Sequence, residues 1–152
     1  MRLTRQTNYA VRTLVYCAVN APKLSHIADI ARAHAISELF LFKLIKPLVE
    51  AGLIETVRGR HGGIRLGRPA DEITLLEVVR LTEENFALAE CFEGGDVNCP
   101  VISNCDLNAA LSEALGAFFS VLESYSIADL AQKKRFLRAR LGLGIEEVAA
   151  IN

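Results

Sequence analysis

The 152-residue chain lacks a long apolar segment, although 51% of its residues are hydrophobic. No apolar run approaches the roughly 18 residues that a membrane-spanning helix requires. The N-terminus is polar and charged where a secretory signal peptide would be apolar. The sequence therefore predicts a cytoplasmic protein without a membrane partner.

Cysteine is scarce and unevenly placed, because three of the four cysteines lie within one fifteen-residue stretch: Cys91, Cys99 and Cys105. Clustered cysteines in a reducing compartment more often indicate metal or redox chemistry than disulfides. Thiolates suit iron–sulfur clusters, zinc or cuprous ions. The spacings of seven and five intervening residues match neither a Cys-x-x-Cys zinc motif nor the ferredoxin patterns. The stretch predicts a metal site that lacks one of the usual four ligands.

Catalytic residues are missing beside these thiols. No candidate base, nucleophile pair or glycine-rich phosphate-binding loop accompanies them, and all three histidines lie in the other half of the chain. The sequence thus predicts neither an enzyme nor a small-molecule substrate.

Cys17 falls within an apolar helical pattern, where a buried free cysteine acts as a small hydrophobic residue. It is therefore not included in the predicted metal site.

Charge divides the chain into two halves, although the net charge is only −1. Residues 1–68 carry eleven Lys and Arg against four Asp and Glu, whereas residues 69–152 carry six against fourteen. A basic half joined to an acidic half is typical of a nucleic-acid-binding module attached to a second element.

Three helices are predicted in the basic half. The first runs from its cap, Thr4, to about Asn20, and the second is capped by Ser25. The third extends from the cap Ser37 to Ala51, with an apolar stripe at helical spacing. The stripe consists of Leu41, Leu44, Ile45 and Leu48. A short turn between the second and third helices predicts a helix-turn-helix, whose second helix enters the major groove of DNA.

The opposite face of the third helix carries candidate DNA contacts. They are Ser37, Glu38, Leu39, Phe42, Lys43 and Lys46. The lysines suit phosphates or guanine edges, whereas the two large apolar side chains either contact thymine methyl groups or pack on a neighbouring helix. Pro47 is expected to kink the helix, so that residues 37–46 form the DNA-reading portion.

A glycine-rich turn between the short strands 53–57 and 64–66 predicts a β-hairpin. Its candidate DNA contacts are Arg58, Arg60, His61 and Arg65. A basic hairpin directly after a helix-turn-helix predicts the wing of a winged-helix domain, and arginine favours a narrow minor groove. A solvated charged turn is the alternative interpretation.

The acidic half is expected to be mainly helical. Thr74 caps a fourth helix, and after the cysteines a long helix over residues 106–125 presents an apolar stripe. Such a stripe is longer than a small domain needs, which predicts a dimerisation helix packed on its symmetry mate. Ser126 caps a further turn through Leu130.

The predicted fold is therefore mainly α, with a small β-hairpin wing and a long dimerisation helix. The winged-helix region spans residues 1–68, and a connecting helix with the cysteine loop spans residues 69–105. The dimerisation helix and the following turn occupy residues 106–130. A basic, mobile tail is expected over residues 131–152.

The opening residues 1–4, the wing at 58–63, the three-cysteine loop and the long helix closely resemble one family of bacterial regulators. This family contains the iron–sulfur regulator IscR, the nitric-oxide-sensitive repressor NsrR and the rhizobial iron regulator RirA. The resemblance runs from residue 1 to about residue 140. The segments 37–43 and 89–93 look most like the rhizobial iron regulator.

The resemblance implies a homodimeric repressor that binds a palindromic operator in double-stranded DNA. It implies that Cys91, Cys99 and Cys105 hold an iron–sulfur cluster of the 4Fe-4S type, with conversion to 3Fe-4S or 2Fe-2S when iron is low. For the iron regulator it also implies repression of iron-uptake genes when iron is plentiful. The alternatives are nitric-oxide or redox sensing by the same cluster, and a DNA-binding protein whose thiols hold structural zinc.

The sequence departs from this family at the fourth ligand. Members with a known fourth ligand use a His three residues after the last loop cysteine, or an Asp near the start of the first helix. Asn108 and Asn8 stand at those positions here. Because a neutral amide is a poor ligand for iron, we expect another residue or a small ligand to complete the site, or one iron to be bound loosely.

Overall fold

A computed structural model describes residues 2–92 and 99–144 of the chain. The middle of the predicted cysteine loop, residues 93–98, and the end of the predicted tail, residues 145–152, lie outside the described residues. None of the described helices is long and apolar enough to cross a membrane.

The described residues form seven α-helices and one antiparallel hairpin, which confirms the mainly α fold. The helices are α1 (Arg5–Asn20), α2 (Ile27–His34), α3 (Glu38–Glu50), α4 (Leu75–Thr82), α5 (Asp106–Glu123), α6 (Ile127–Leu130) and α7 (Lys134–Arg140). The strands are β1 (Ile54–Val57) and β2 (Gly63–Leu66). Three 3-10 turns cover Ala70–Glu72, Glu90–Phe92 and Ile102–Asn104.

The helix-turn-helix forms as predicted, apart from the start of α2. Ser37 caps α3, because its Oγ accepts a hydrogen bond from the backbone N–H of Phe40 at 3.1 Å. Ser25 does not cap α2, whose N-cap is His26. Instead, Ser25 is buried and pairs with Ile64 through two backbone hydrogen bonds of 2.9 Å. This short bridge anchors the segment before α2 to the base of the wing.

The wing is an antiparallel hairpin in which Ile54 pairs with Leu66 and Val57 with Gly63. Gly62 is required at the turn, since a Cβ there would lie 2.2 Å from the carbonyl oxygen of Val57. The hairpin therefore closes with a tight, glycine-dependent turn.

One core joins the winged-helix region, residues 1–68, to the later helices. α1 packs against α3, β2, α4, α6 and α7. The fully buried side chains come from both sides of residue 68 and include Leu14, Leu41, Leu48, Ile64, Ile73, Val78 and Ile127. The core therefore extends beyond the segment that the sequence assigns to the winged helix.

The long helix α5 ends at Glu123, two residues before the predicted end, and none of its residues is buried. Within the segment predicted to be a mobile tail, residues 134–140 form α7. The buried guanidinium of Arg138 fixes this helix, because it donates hydrogen bonds to the carbonyl oxygens of Val19, Leu143 and Gly144 at 3.1, 2.9 and 3.1 Å. The basic composition of the segment gave no indication that one of its arginines is buried.

Candidate metal centre and nucleic-acid interface

Two of the three clustered cysteines meet at the N-terminus of α5. Cys105 is the N-cap of the helix, and its Sγ accepts a hydrogen bond from the backbone N–H of Asn108 at 3.4 Å. Cys91 lies on the 3-10 turn Glu90–Phe92, and its Sγ accepts a hydrogen bond from Asn108 Nδ2 at 3.2 Å. Asn108 therefore brings together two sulfur atoms that are fourteen residues apart in sequence.

Cys99 lies just before the 3-10 turn Ile102–Asn104, and its carbonyl oxygen accepts a hydrogen bond from the N–H of Ile102 at 3.2 Å. All three clustered cysteines are free thiols of intermediate exposure. Within residues 2–92 and 99–144, no group of three or more His, Cys, Asp or Glu is arranged to hold a metal ion. The described site is thus not a closed cage for a single ion.

The chemistry of the donors nevertheless fits an iron–sulfur cluster. Cysteine thiolates are the usual ligands of such clusters, and hydrogen bonds to the sulfurs are one of the means by which proteins tune them. A structural zinc site and a 4Fe-4S cluster both normally have four protein ligands, whereas the clustered cysteines supply three. If a cluster is present, Cys91, Cys99 and Cys105 would hold it.

Cys17 has the opposite environment. Its side chain lies in the core with 2% of its surface exposed. Burial raises its pKa to about 12, although a hydrogen bond from Ser25 acts in the other direction. A thiol that stays protonated is a poor nucleophile and a poor metal ligand. The structure therefore separates Cys17 from the other three cysteines, as the sequence predicts.

Asn8, the second position of interest for a fourth ligand, is exposed on α1. Its backbone N–H bonds to the carbonyl oxygen of Thr4 at 3.3 Å, within the first turn of the helix. Of the two asparagines, Asn108 is the one that the described structure connects to cysteine sulfur.

A polar contact that sequence reasoning missed links α4 to α1. The Glu83 carboxylate accepts hydrogen bonds from the Thr4 backbone N–H at 2.7 Å, from Thr4 Oγ1 at 3.1 Å and from Thr7 Oγ1. Burial alone would raise the pKa of Glu83, but these hydrogen bonds from Thr7 and Thr4 hold it below its usual value. The segment leading to the cysteines is therefore tied to the first turn of α1.

An aromatic contact holds the same segment against α5. The rings of Phe86 and Phe119 meet edge to face with centroids 4.9 Å apart. The Arg80 guanidinium lies 5.2 Å from the centre of the Phe119 ring. α4, the segment after it and α5 are thus in contact on the side of Phe119.

The predicted DNA-reading face of α3 is free of the core. Leu39 and Phe42 are 68% and 55% exposed, so they do not pack on a neighbouring helix within the described structure. Lys43 and Lys46 are exposed on the same face, with Lys46 3.9 Å from Glu50. Ser37 and Glu38 are exposed at its start. α3 runs to Glu50 with Pro47 inside it.

The wing residues divide into two groups. Arg58, Arg60 and His61 are exposed around the turn. Arg65 instead forms a two-pronged ion pair with Glu55 on the facing strand, with nitrogen–oxygen distances of 2.9 and 3.1 Å. This pairing lowers the pKa of Glu55, mainly through the hydrogen bond from Arg65. Arg65 therefore links the two strands of the hairpin, whereas Arg58, Arg60 and His61 form no ion pair with any of the residues 2–92 and 99–144.

Comparison with known proteins agrees with this architecture. The Rrf2 family, described as iron-dependent transcriptional regulators, matches residues 3–133. Protein aau3 of Rhizobium meliloti (strain 1021) is 61% identical over 143 residues, which cover 94% of this chain and 93% of that protein. The HTH-type transcriptional regulator NsrR of Geobacillus kaustophilus (strain HTA426) is 45% identical over 142 residues, covering 93% and 97%.

Solved structures show the same fold. CymR, the global cysteine regulator of B. subtilis, superposes with a TM-score of 0.69 at 26% identity, covering 87% of this chain and 97% of that chain. IscR of T. potens has a TM-score of 0.71 at 21% identity, covering 91% of each chain, and it shows the fold alone. The resemblance found in the sequence is confirmed. The chain belongs to the Rrf2 family of DNA-binding transcriptional regulators, and it is not an enzyme.

Proposed function

We propose that the chain is an iron-responsive transcriptional repressor, which senses iron through a labile iron–sulfur cluster and represses iron-uptake genes when iron is replete. Cys91, Cys99 and Cys105 hold the cluster in this proposal. The observation that carries it is the convergence of the Cys91 and Cys105 sulfurs on Asn108 at the start of α5. The description of the matching family as iron-dependent supports the same conclusion.

The bound cluster would supply an iron centre that responds to chelation and oxidation. The chain supplies the connection to DNA. Cys105 caps α5, so a change at its sulfur alters the start of that helix. α5 packs on α4, and Glu83 at the end of α4 bonds to Thr4 and Thr7 of the DNA-binding region. Through these contacts, the state of the cysteines can affect the position of α1 and, with it, α3.

A homodimer is part of the proposal. α5 buries none of its residues, and large apolar side chains remain exposed along it, including Leu107 and Val121, with Tyr125 just beyond its end. A second copy of the helix is a suitable cover for such a stripe. A two-fold dimer would present two copies of α3 about 34–36 Å apart and would read a palindromic operator.

DNA contact is assigned to two elements. In α3 the contacting residues are Ser37, Glu38, Leu39, Phe42, Lys43 and Lys46, which lie in the major groove. In the wing, Arg58, Arg60 and His61 reach the adjacent minor groove, where the negative potential favours arginine. Arg65 takes part mainly by bracing the hairpin through Glu55.

Anaerobic purification tests the cofactor directly. The protein is expected to be brown, with iron and acid-labile sulfide in similar amounts and in multiples of the 4Fe-4S composition. Colourless protein with stoichiometric zinc would support the structural-zinc alternative and contradict the proposal. A matched preparation of the Cys91→Ser variant should lack both the colour and the sulfide.

Nitric-oxide sensing by the same cluster is the second candidate. The relatives named NsrR at 45% and 42% identity favour it. Both functions require the same three cysteines, so cluster content alone does not separate them. The two functions are distinguished by exposing separate anaerobic samples to a low-affinity iron chelator and to nitric oxide. An iron sensor loses its cluster and its operator binding in the chelator sample.

A further inference from the structure

We propose that Asn108 is not the missing fourth ligand but an amide clamp, which orders Cys91 and Cys105 and donates hydrogen bonds to their sulfur atoms. This inference rests on the proposed function, in which these cysteines hold an iron–sulfur cluster. It assigns a positioning role to the residue that stands where part of the family places a His.

The geometry distinguishes a hydrogen-bond donor from a ligand. Asn108 offers two N–H groups to two sulfurs, its backbone N–H to Cys105 at 3.4 Å and its side-chain Nδ2 to Cys91 at 3.2 Å. A metal-bound thiolate carries no hydrogen, so its sulfur can only accept, and an adjacent amide must present its NH₂ group. A ligand would have to present Oδ1 to iron, because an amide nitrogen has no free electron pair for coordination.

The clamp acts on only two of the three cysteines. Among the described residues, the hydrogen bonds to cysteine sulfur from Asn108 reach Cys91 and Cys105, and none reaches Cys99. The Cys91 and Cys105 thiols are therefore held at the N-terminus of α5 before any iron binds, and Cys99 completes the site. Outer hydrogen-bond partners of this kind typically contribute 10–100-fold to metal affinity.

Two variants separate the roles, and a third serves as control. Asn108→Ala removes the side-chain donor, while Asn108→Asp replaces the NH₂ group with an oxygen that can ligate iron. Asn104→Ala is the matched control, since Asn104 is an exposed asparagine on the turn just before α5. Each protein is reconstituted anaerobically with ferrous iron and sulfide. Iron and sulfide content, the Fe–S stretching bands and the rate of cluster loss to a chelator are then measured.

For the clamp, Asn108→Ala assembles a cluster of wild-type iron and sulfide content and loses it about 10–100-fold faster. Its Fe–S(Cys) stretching bands move to higher frequency, because a sulfur without a hydrogen bond donates more strongly to iron. Asn108→Asp also weakens the cluster, because a carboxylate repels the anionic site. Asn104→Ala behaves like the wild type.

Two outcomes would overturn the clamp. If Asn108→Asp held the cluster more tightly while Asn108→Ala lost one iron per cluster, Asn108 would be an oxygen ligand. If Asn108→Ala matched Asn104→Ala in both the Fe–S bands and the decay rate, Asn108 would have no role at the sulfurs.

The metal-free protein provides a readout that does not depend on a cluster. The ratio of the alkylation rate of Cys91 to that of Cys99 should change about fivefold in Asn108→Ala, the effect of losing one ordinary hydrogen bond. An unchanged ratio would contradict the clamp. Failure of the wild type to bind any cluster would contradict the proposed function instead, so the two failures remain distinguishable.

Discussion

Residues 5–82 and residues 83–126 use their apolar side chains in different ways. The first region contains most of the core, and α3 buries Leu41, Leu44 and Leu48 almost completely. In the second region, no residue is buried among those described, 83–92 and 99–126. The cysteines follow the same division, since Cys17 is in the core and the three clustered cysteines are half-buried. The first region therefore contributes most of the common core, to which Ile127 of α6 also belongs, whereas the described residues of the second region leave large apolar side chains such as Leu107 and Val121 exposed.

The largest expected contrast lies between the cysteines of the two regions. Serine at Cys91, Cys99 or Cys105 should abolish the cluster and relieve repression, because each would remove one of three thiolate ligands. Cys17→Ser should retain both cluster and repression. Cluster absorbance and iron content of the four variants, purified without oxygen, check this prediction. Full cluster in Cys99→Ser, or its loss in Cys17→Ser, would mean that the site is assigned to the wrong residues.

Packing provides the next contrast. Leu48→Ala in α3 should lower the free energy of unfolding by about 2–5 kcal/mol, because it leaves a cavity in the core. Val121→Glu in α5 should change that free energy little in the monomer, since Val121 is 57% exposed. It should instead raise the dimer dissociation constant about tenfold or more, as expected for a charge in an apolar interface.

Urea unfolding and sedimentation measure these two effects separately. The comparison between the regions fails if Val121→Glu unfolds the chain at all concentrations. It also fails if this variant leaves the association state unchanged, because α5 would then not be the dimer interface.

Within the DNA-binding region, the two groups of wing arginines should differ by a smaller amount. Arg58→Ala should weaken operator binding by about 1–3 kcal/mol, the range for one base-reading contact. Arg65→Ala should have a smaller effect on affinity, because Arg65 is already engaged with Glu55. Fluorescence anisotropy with a labelled operator provides the measurement. Equal losses for both variants would show that the ion pair opens to contact DNA.

The smallest effect concerns Glu83, which joins the two regions. Its pKa lies below the ordinary value of 4.5, because hydrogen bonds from Thr7 and Thr4 outweigh the effect of burial. The contribution to stability is therefore present above pH 4.5 and is lost as the pH falls through the lowered, folded-state pKa. Glu83→Gln should lose less stability than the wild type on acidification. Urea unfolding in a pH series would contradict this if the two proteins lost stability in parallel.

Local features of the fold could be predicted from the sequence. The caps Thr4, Ser37, Thr74 and Ser126 all accept the expected backbone hydrogen bond, because capping depends on residues only three positions apart. The hairpin and the buried stripe of α3 follow equally local patterns. The exposure of Leu39 and Phe42 argues against packing on a neighbouring helix among the described residues, and their contact with thymine methyl groups stays a prediction.

Contacts between residues that are distant in sequence could not be predicted from such local patterns. Ser25 resembles a helix cap, but it pairs with Ile64 thirty-nine residues later. Arg138 lies in a run of basic residues, yet backbone carbonyls satisfy its guanidinium in the interior. Asn108 could be identified as an unusual residue beside the cysteines, whereas its N–H contacts with two sulfurs depend on how the chain folds back onto α5.

The most direct test follows cluster absorbance and operator binding together while a low-affinity iron chelator is added under anaerobic conditions. The account predicts that both signals decay with the same time course and that added iron and sulfide restore them together. The result that would contradict it is a cluster that survives the chelator with operator binding intact but is destroyed by nitric oxide.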